Sequence, residues 1–85
     1  MTPTAEQIRD WIVGRVSALA EVPPEEIDVR APLMRLGLDS VMAIALATDL
    51  ENWLNYRFRG NPLDAHPTID ALAGFLAAEV ARRQS

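Results

Sequence analysis

Apolar residues in this chain return every three or four positions and show no convincing period-two alternation, a pattern that calls for helices and gives no strand. Over the first stretch the apolar face is Ile8, Trp11, Ile12, Val16 and Leu19, and over the last it is Ile69, Leu72, Ala73, Leu76 and Val80, with Phe75 at its border. Start signals precede both. Thr4-Ala5-Glu6-Gln7 reads as a capping box, in which Thr4 satisfies an orphan amide and Gln7 reaches back to the cap. Thr68, after His66-Pro67, is placed to cap the last helix. The first helix is expected to end near Ala20, and Arg15, which interrupts its apolar face, is expected to snorkel.

The second helix in chain order begins at Asp39, whose carboxylate can cap free amides at the positive end of the dipole, and runs to Leu54 or Tyr56. Before it lies a long connection, Glu21 to Asp39, containing Pro23, Pro24 and Pro32. A structureless loop of that length is unusual in a small domain. Ile27, Val29, Leu33 and Leu36 predict that it is pinned across the helices, and Pro24-Glu25-Glu26 suits one short turn. Arg57-Phe58-Arg59-Gly60-Asn61-Pro62 breaks the chain again, and Leu63 to His66 suits a short helix. The expected fold is all-α: a small four-helix bundle of three longer helices and one short, with a long loop between the first two. A single domain over 1–85, with its core over about 5–81, is expected.

Eighty-five residues bury roughly 60–65% of their unfolded surface, enough for a modest core and too little for an elaborate catalytic pocket as well. There is no cysteine, so disulfides and thiolate metal sites are excluded, and any thioester chemistry needs a borrowed thiol. The formal charge is −4, and the eight basic residues, all arginine, are dispersed along the sequence, which argues against nucleic-acid binding. No apolar run approaches the ~18 residues of a membrane span, and no secretory signal follows Met1. A soluble, cytoplasmic protein without a membrane association is the expectation.

Ser40 is the residue with the most to say about chemistry. It follows Gly37-Leu38-Asp39 and opens the apolar run from Val41 to Leu54. A nucleophilic serine needs a base and an oxyanion hole, and neither is recognisable beside it. A serine so displayed reads as one that another enzyme modifies. Leu36-Gly37-Leu38-Asp39-Ser40 resembles the phosphopantetheine attachment motif of acyl carrier proteins. Pro32-Leu33 before it, Asp49-Leu50-Glu51 with Trp53-Leu54 after it, and His66-Pro67-Thr68-Ile69 with Leu72-Ala73 are similar to other stretches of that family in the same order. Leu38 after Gly37 favours the polyketide-synthase type over peptidyl carriers; Val41 departs conservatively from the family's usual leucine.

The resemblance implies that a phosphopantetheinyl transferase moves 4′-phosphopantetheine from coenzyme A onto the Ser40 hydroxyl, and that the arm's thiol carries acyl or polyketide groups as thioesters. It implies that Asp39 presents Ser40 to the transferase and its magnesium ion. It makes the chain a non-catalytic carrier, with an acyl-loading enzyme (an acyltransferase or an acyl-AMP ligase) and a ketosynthase or other synthase domains as further partners. The chain would work as a monomer or as part of a larger synthase.

Steps of ~100° along the helix from Ser40 separate two apolar arcs. Ala43, Leu46, Ala47, Leu50, Trp53 and Leu54 form one and are expected to face the core. Val41, Ile44, Ala45 and Thr48 form the other, beside Ser40, and are expected to be a partner-docking surface. The competing reading packs Val41 and Ile44 under the Glu21–Asp39 loop. The first acid on this helix after Asp39 is Asp49, so recognition is expected to lean on apolar contact, with Asp39, Asp49 and Glu51 as outlying charges.

Other chemistries fit less well. A hydrolase built from Ser40, His66 and one of Asp39, Asp49 or Asp64 lacks both the nucleophile-elbow pattern and an oxyanion hole, so His66 is read as a turn residue. One imidazole and scattered carboxylates make no metal site. Trp11 and Trp53 suggest packing rather than a stacking platform, and Tyr56 and Phe58 suggest core rather than an acyl pocket. A cofactor-free helical protein-interaction domain remains the alternative from a different class.

Overall fold

The computed structural model describes residues 3–58, 60 and 62–84, and the side chains of all of these except residue 84. Helix α1 spans Ala5–Ala20, α2 Ser40–Leu54, α3 Pro62–Ala65 and α4 Ile69–Gln84. Two 3-10 turns, Pro24–Glu26 and Leu33–Leu36, occupy the connection between α1 and α2. No strand is present among the described residues, and the four-helix, all-α architecture follows the periodicity.

Local chemistry sets each helix boundary. The Thr4 hydroxyl accepts from the Gln7 amide at 3.1 Å while the Gln7 side chain accepts from the Thr4 amide at 2.9 Å, a complete capping box. The Ala71 amide donates to the Thr68 hydroxyl at 3.1 Å at the start of α4. Helix α2 stops at Leu54, the earlier of its two expected ends, because Asn55 turns into the left-handed region with φ 51° and its amide caps the Glu51 carbonyl. The short helix starts at Pro62, one residue earlier than expected, where a missing amide proton costs nothing.

The core is one cluster. Ile8, Ile12 and Val16 of α1, Leu46 and Leu50 of α2, and Ile69, Leu72, Ala73 and Leu76 of α4 are buried together with Leu33 and Leu38 from the connection. Packing is most extensive between α1 and α4. Helix α2 is seated partly by the connection, whose apolar residues act as an additional wall: Ile27, Val29 and Leu36 pack against the same cluster. The connection is also hydrogen-bonded to the start of α4. Pro32 and Thr68 form an isolated antiparallel bridge, the Leu33 amide donates to the Pro67 carbonyl at 2.9 Å, and the Asp70 amide donates to the Val29 carbonyl at 2.9 Å.

Three expectations are corrected. Trp53 is not core: it is 40% exposed and stacks on Trp11 across the α1–α2 surface. The wheel places it within the inner arc, yet the helix ends one residue later and that last turn is left partly exposed. Tyr56 is a polar tie rather than core, since its hydroxyl donates to Glu79 at 3.1 Å, whereas Phe58 does pack on the core cluster. Asp49 and Glu51 are not outlying charges. Asp49 is ion-paired with Arg15, the residue expected to snorkel, and a Glu51 carboxylate oxygen accepts from the Phe58 amide at 2.8 Å.

Candidate functional site

Ser40 is the first residue of α2, and its exposure is produced by the three residues before it. Gly37 closes the second 3-10 turn with φ 93°, a left-handed conformation that favours glycine, and reverses the chain toward the helix. Leu38 then drops into the core with 2% of its surface exposed and fixes the register. Asp39 is the N-cap: its carboxylate accepts from the Met42 amide at 2.9 Å and its carbonyl accepts from the Ala43 amide at 2.9 Å. Ser40, next in line, points away from the core and is exposed. Its hydroxyl makes no hydrogen bond among the described residues.

That geometry displays an alcohol without activating it. His66, the single imidazole, is stacked on Phe75 with ring centroids 4.3 Å apart and is half-buried in that contact. Asp39 is used as a cap. Among the described residues the hydrolase grouping of Ser40 and His66 with Asp39, Asp49 or Asp64 is not assembled: Asp49 is held by Arg15, the His66 ring is stacked on Phe75, and Asp64, which lines the same depression as Ser40, makes no hydrogen bond to Ser40 or His66. What the site does offer is a helix N-terminus. With the Met42 amide taken by Asp39, the amides of the first turn before it are open to an anion attached at Ser40. A phosphodiester on the exposed Ser40 hydroxyl fits this donor set.

Around Ser40 the surface is apolar. Val41 is 74% exposed, Ile44 60% and Met34, from the second 3-10 turn, 66%. Thr48 is exposed further along α2, and Ala45 is half-buried. Val41 and Ile44 thus do not pack under the connection. A depression of about 210 Å³ between α2 and α3 joins Met34, Leu38, Ala43, Ile44 and Leu63, with Ser40 among its walls. Met34 is the member that sequence reasoning missed. Its only signal was an unbranched apolar residue between Leu33 and Arg35, indistinguishable there from a pinning residue.

Residues 10–76 match the protein family described as "Phosphopantetheine attachment site". Over 80 residues the chain is 36% identical to a phenolphthiocerol/phthiocerol polyketide synthase of Mycobacterium tuberculosis, covering 94% of this chain and 4% of that protein. It is 30% identical over 78 residues to acyl carrier protein TtuC of Teredinibacter turnerae, covering 92% of this chain and 90% of that one. Among solved structures, a free-standing peptidyl carrier protein from Acinetobacter baumannii superposes with a TM-score of 0.85 at 31% identity, over 91% of this chain and 96% of the other.

Fold and site define a carrier protein. The chain belongs to the phosphopantetheine attachment family: it is an acyl carrier protein, and its cofactor is covalently attached 4′-phosphopantetheine.

Proposed function

We propose that Ser40 is the residue that receives the arm and that the chain works as a polyketide-type acyl carrier, contributing no catalysis of its own. The observation that carries this reading is the display of an exposed, unbonded Ser40 hydroxyl at the first position of α2, capped by Asp39. In the transfer, the Ser40 oxygen attacks the β-phosphorus of coenzyme A and forms the new phosphoester bond. The pyrophosphate bond breaks, the adenosine bisphosphate leaves, and the serine proton passes to a base of the transferase, since this chain places none there. Asp39 orients the first turn and adds a negative charge beside the hydroxyl. The arm supplies the terminal thiol on which acyl groups are held as thioesters.

The partners proposed are the phosphopantetheinyl transferase, an acyl-loading enzyme and condensing or other synthase domains. The surface proposed to meet them is Val41, Ile44, Ala45 and Thr48, extended by Met34. A carrier that moves its cargo between sites works by proximity, so this patch needs only brief and moderate contact. One carrier domain over 1–85 is the proposed working unit. It matches 4% of the length of the mycobacterial synthase and nearly all of TtuC, so the cargo and the surrounding assembly are read from the polyketide relatives.

Intact mass before and after incubation with coenzyme A and a broad-specificity transferase tests the reading. A gain of one phosphopantetheine, located by peptide mapping to Ser40, is expected. A gain located elsewhere would move the attachment site away from Ser40, and no gain would favour the cofactor-free interaction domain.

A further inference from the structure

At the other end of α2, about 22 Å along the helix from Ser40, lies a different kind of surface. A depression of about 730 Å³ runs between the end of α2 and the last turns of α4, with Asn52, Asn55, Tyr56, Arg57 and Arg83 among its walls. Four of the eight arginines of this net-acidic chain fall in the two stretches 57–59 and 82–83. The fold sets Arg57, Arg82 and Arg83 around one depression. The Arg83 guanidinium lies over the Tyr56 ring at 4.9 Å, and the Tyr56 hydroxyl donates to Glu79.

The charges in this depression are not equally engaged. Glu79 accepts from Tyr56 and is ion-paired with Arg82, and Glu51 accepts from the Phe58 amide. Arg57 and Arg83 have no carboxylate partner among the described residues, and both are exposed. Two open guanidinium forks, one of them preoriented by an aromatic face, stand beside two exposed amide side chains.

We propose that this depression, which shares only Thr48 with the Ser40 patch, is a second docking surface and that it takes an extended protein segment bearing spaced carboxylates. Arg57 and Arg83 supply the charge and the bidentate geometry, and Asn52 and Asn55 supply hydrogen bonds to the segment's backbone. Glu51 and Glu79 decide between anions: they would lie against a continuous polyphosphate, whereas carboxylates on alternate residues of a peptide can sit over the arginines and avoid them. The assignment does not depend on what Ser40 carries.

The test is a titration of the 15N-labelled full chain with a decapeptide alternating glutamate with glycine or serine, with its lysine counterpart and a single-stranded oligonucleotide as controls. The glutamate peptide should shift the signals of Asn55, Tyr56, Arg57 and Arg83 and leave Ser40 and Val41 in place, and binding should weaken several-fold as salt screens the charges. The double change Arg57→Ala with Arg83→Ala should weaken binding about fivefold to tenfold, and Arg57→Lys with Arg83→Lys should restore part of it. Unchanged signals outside 52–58 and 79–83 would show that the variants fold. Shifts spread over all exposed arginines, equal binding by the alanine variant, or tighter binding of the oligonucleotide would each overturn the proposal.

Discussion

Trp11 of α1 and Trp53 of α2 are stacked face to face, with ring centroids 4.8 Å apart and planes 2° from parallel. Arg15 lies 5.9 Å from the Trp11 ring centre and is ion-paired with Asp49, one turn before Trp53. Contacts between α1 and α2 are few compared with those between α1 and α4, so this partly exposed clasp supplements the shared core in joining the two helices. Trp53→Ala should cost about 1–2 kcal/mol, of which ~0.5–1.5 is the stacking term and the remainder the limited area that Trp53 buries. Urea denaturation of Trp11→Ala, Trp53→Ala and the double variant checks it. A coupling energy near zero would mean that the rings touch without holding.

Ser40→Ala should abolish attachment completely. The side chain is exposed and bonded to nothing in the described structure, so stability should change by no more than ~0.5 kcal/mol. Mass spectrometry and a thermal melt on the same sample separate the two effects.

Asp39 is both cap and charge. Asp39→Ala should lose ~1 kcal/mol of stability, whereas Asp39→Asn, which still accepts from the Met42 amide, should lose only a few tenths to ~1 kcal/mol. If the charge serves the transferase, the asparagine variant should be modified much more slowly while remaining folded. Equal modification rates for wild type and Asp39→Asn would reduce Asp39 to a cap.

Ile44 and Leu46 lie two residues apart and should behave as opposites. Ile44 is 60% exposed and Leu46 fully buried, so Ile44→Ala should cost under ~1 kcal/mol and Leu46→Ala about 2–5 kcal/mol. Ile44→Ala should also weaken binding to the cognate loading or condensing enzyme, with little dependence on salt. Normal affinity in that variant would move the docking surface away from Ile44, toward Val41, Met42 and the loop around Arg35.

The Tyr56 phenol should titrate above its ordinary 10.0, because burial disfavours the phenolate and the adjacent Glu79 carboxylate, its hydrogen-bond acceptor, adds to the effect; Arg83 and Arg82 oppose it. A raised folded-state pKa means that this contact contributes stability below pH 10.0, lost as pH rises through the folded value. Ultraviolet titration of the phenolate checks the direction, and Glu79→Gln should bring the midpoint down.

How far the sequence can be read divides by whether a feature is local. Thr4, Asp39 and Thr68 each cap a helix through a bond spanning three residues, so their roles are visible in four or five letters of sequence. The serine display is equally local, set by Gly37, Leu38 and Asp39. Trp53 escapes such a reading because a helical wheel orders residues by angle and carries no information about where neighbouring helices end. Asp49 and Glu51 look like free charges in the sequence because their partners, Arg15 and the Phe58 amide, come from elsewhere in the fold. The convergence of Arg57 and Arg83 on one depression is of the same kind: far apart in sequence, they share its rim only in the folded chain.

The lacing of the connection to the start of α4 makes its length a quantity that the fold cannot trade. Loops of this extent normally absorb insertions and deletions with small entropic cost. Here Val29, Leu33 and the Pro32–Thr68 bridge must reach fixed partners while Leu33 and Leu38 reach the core, so losing one residue between them would pull an apolar side chain out of register. For anyone grafting a tag, a linker or a sensor into this protein, the segment that looks most permissive on a secondary-structure diagram is one of the least.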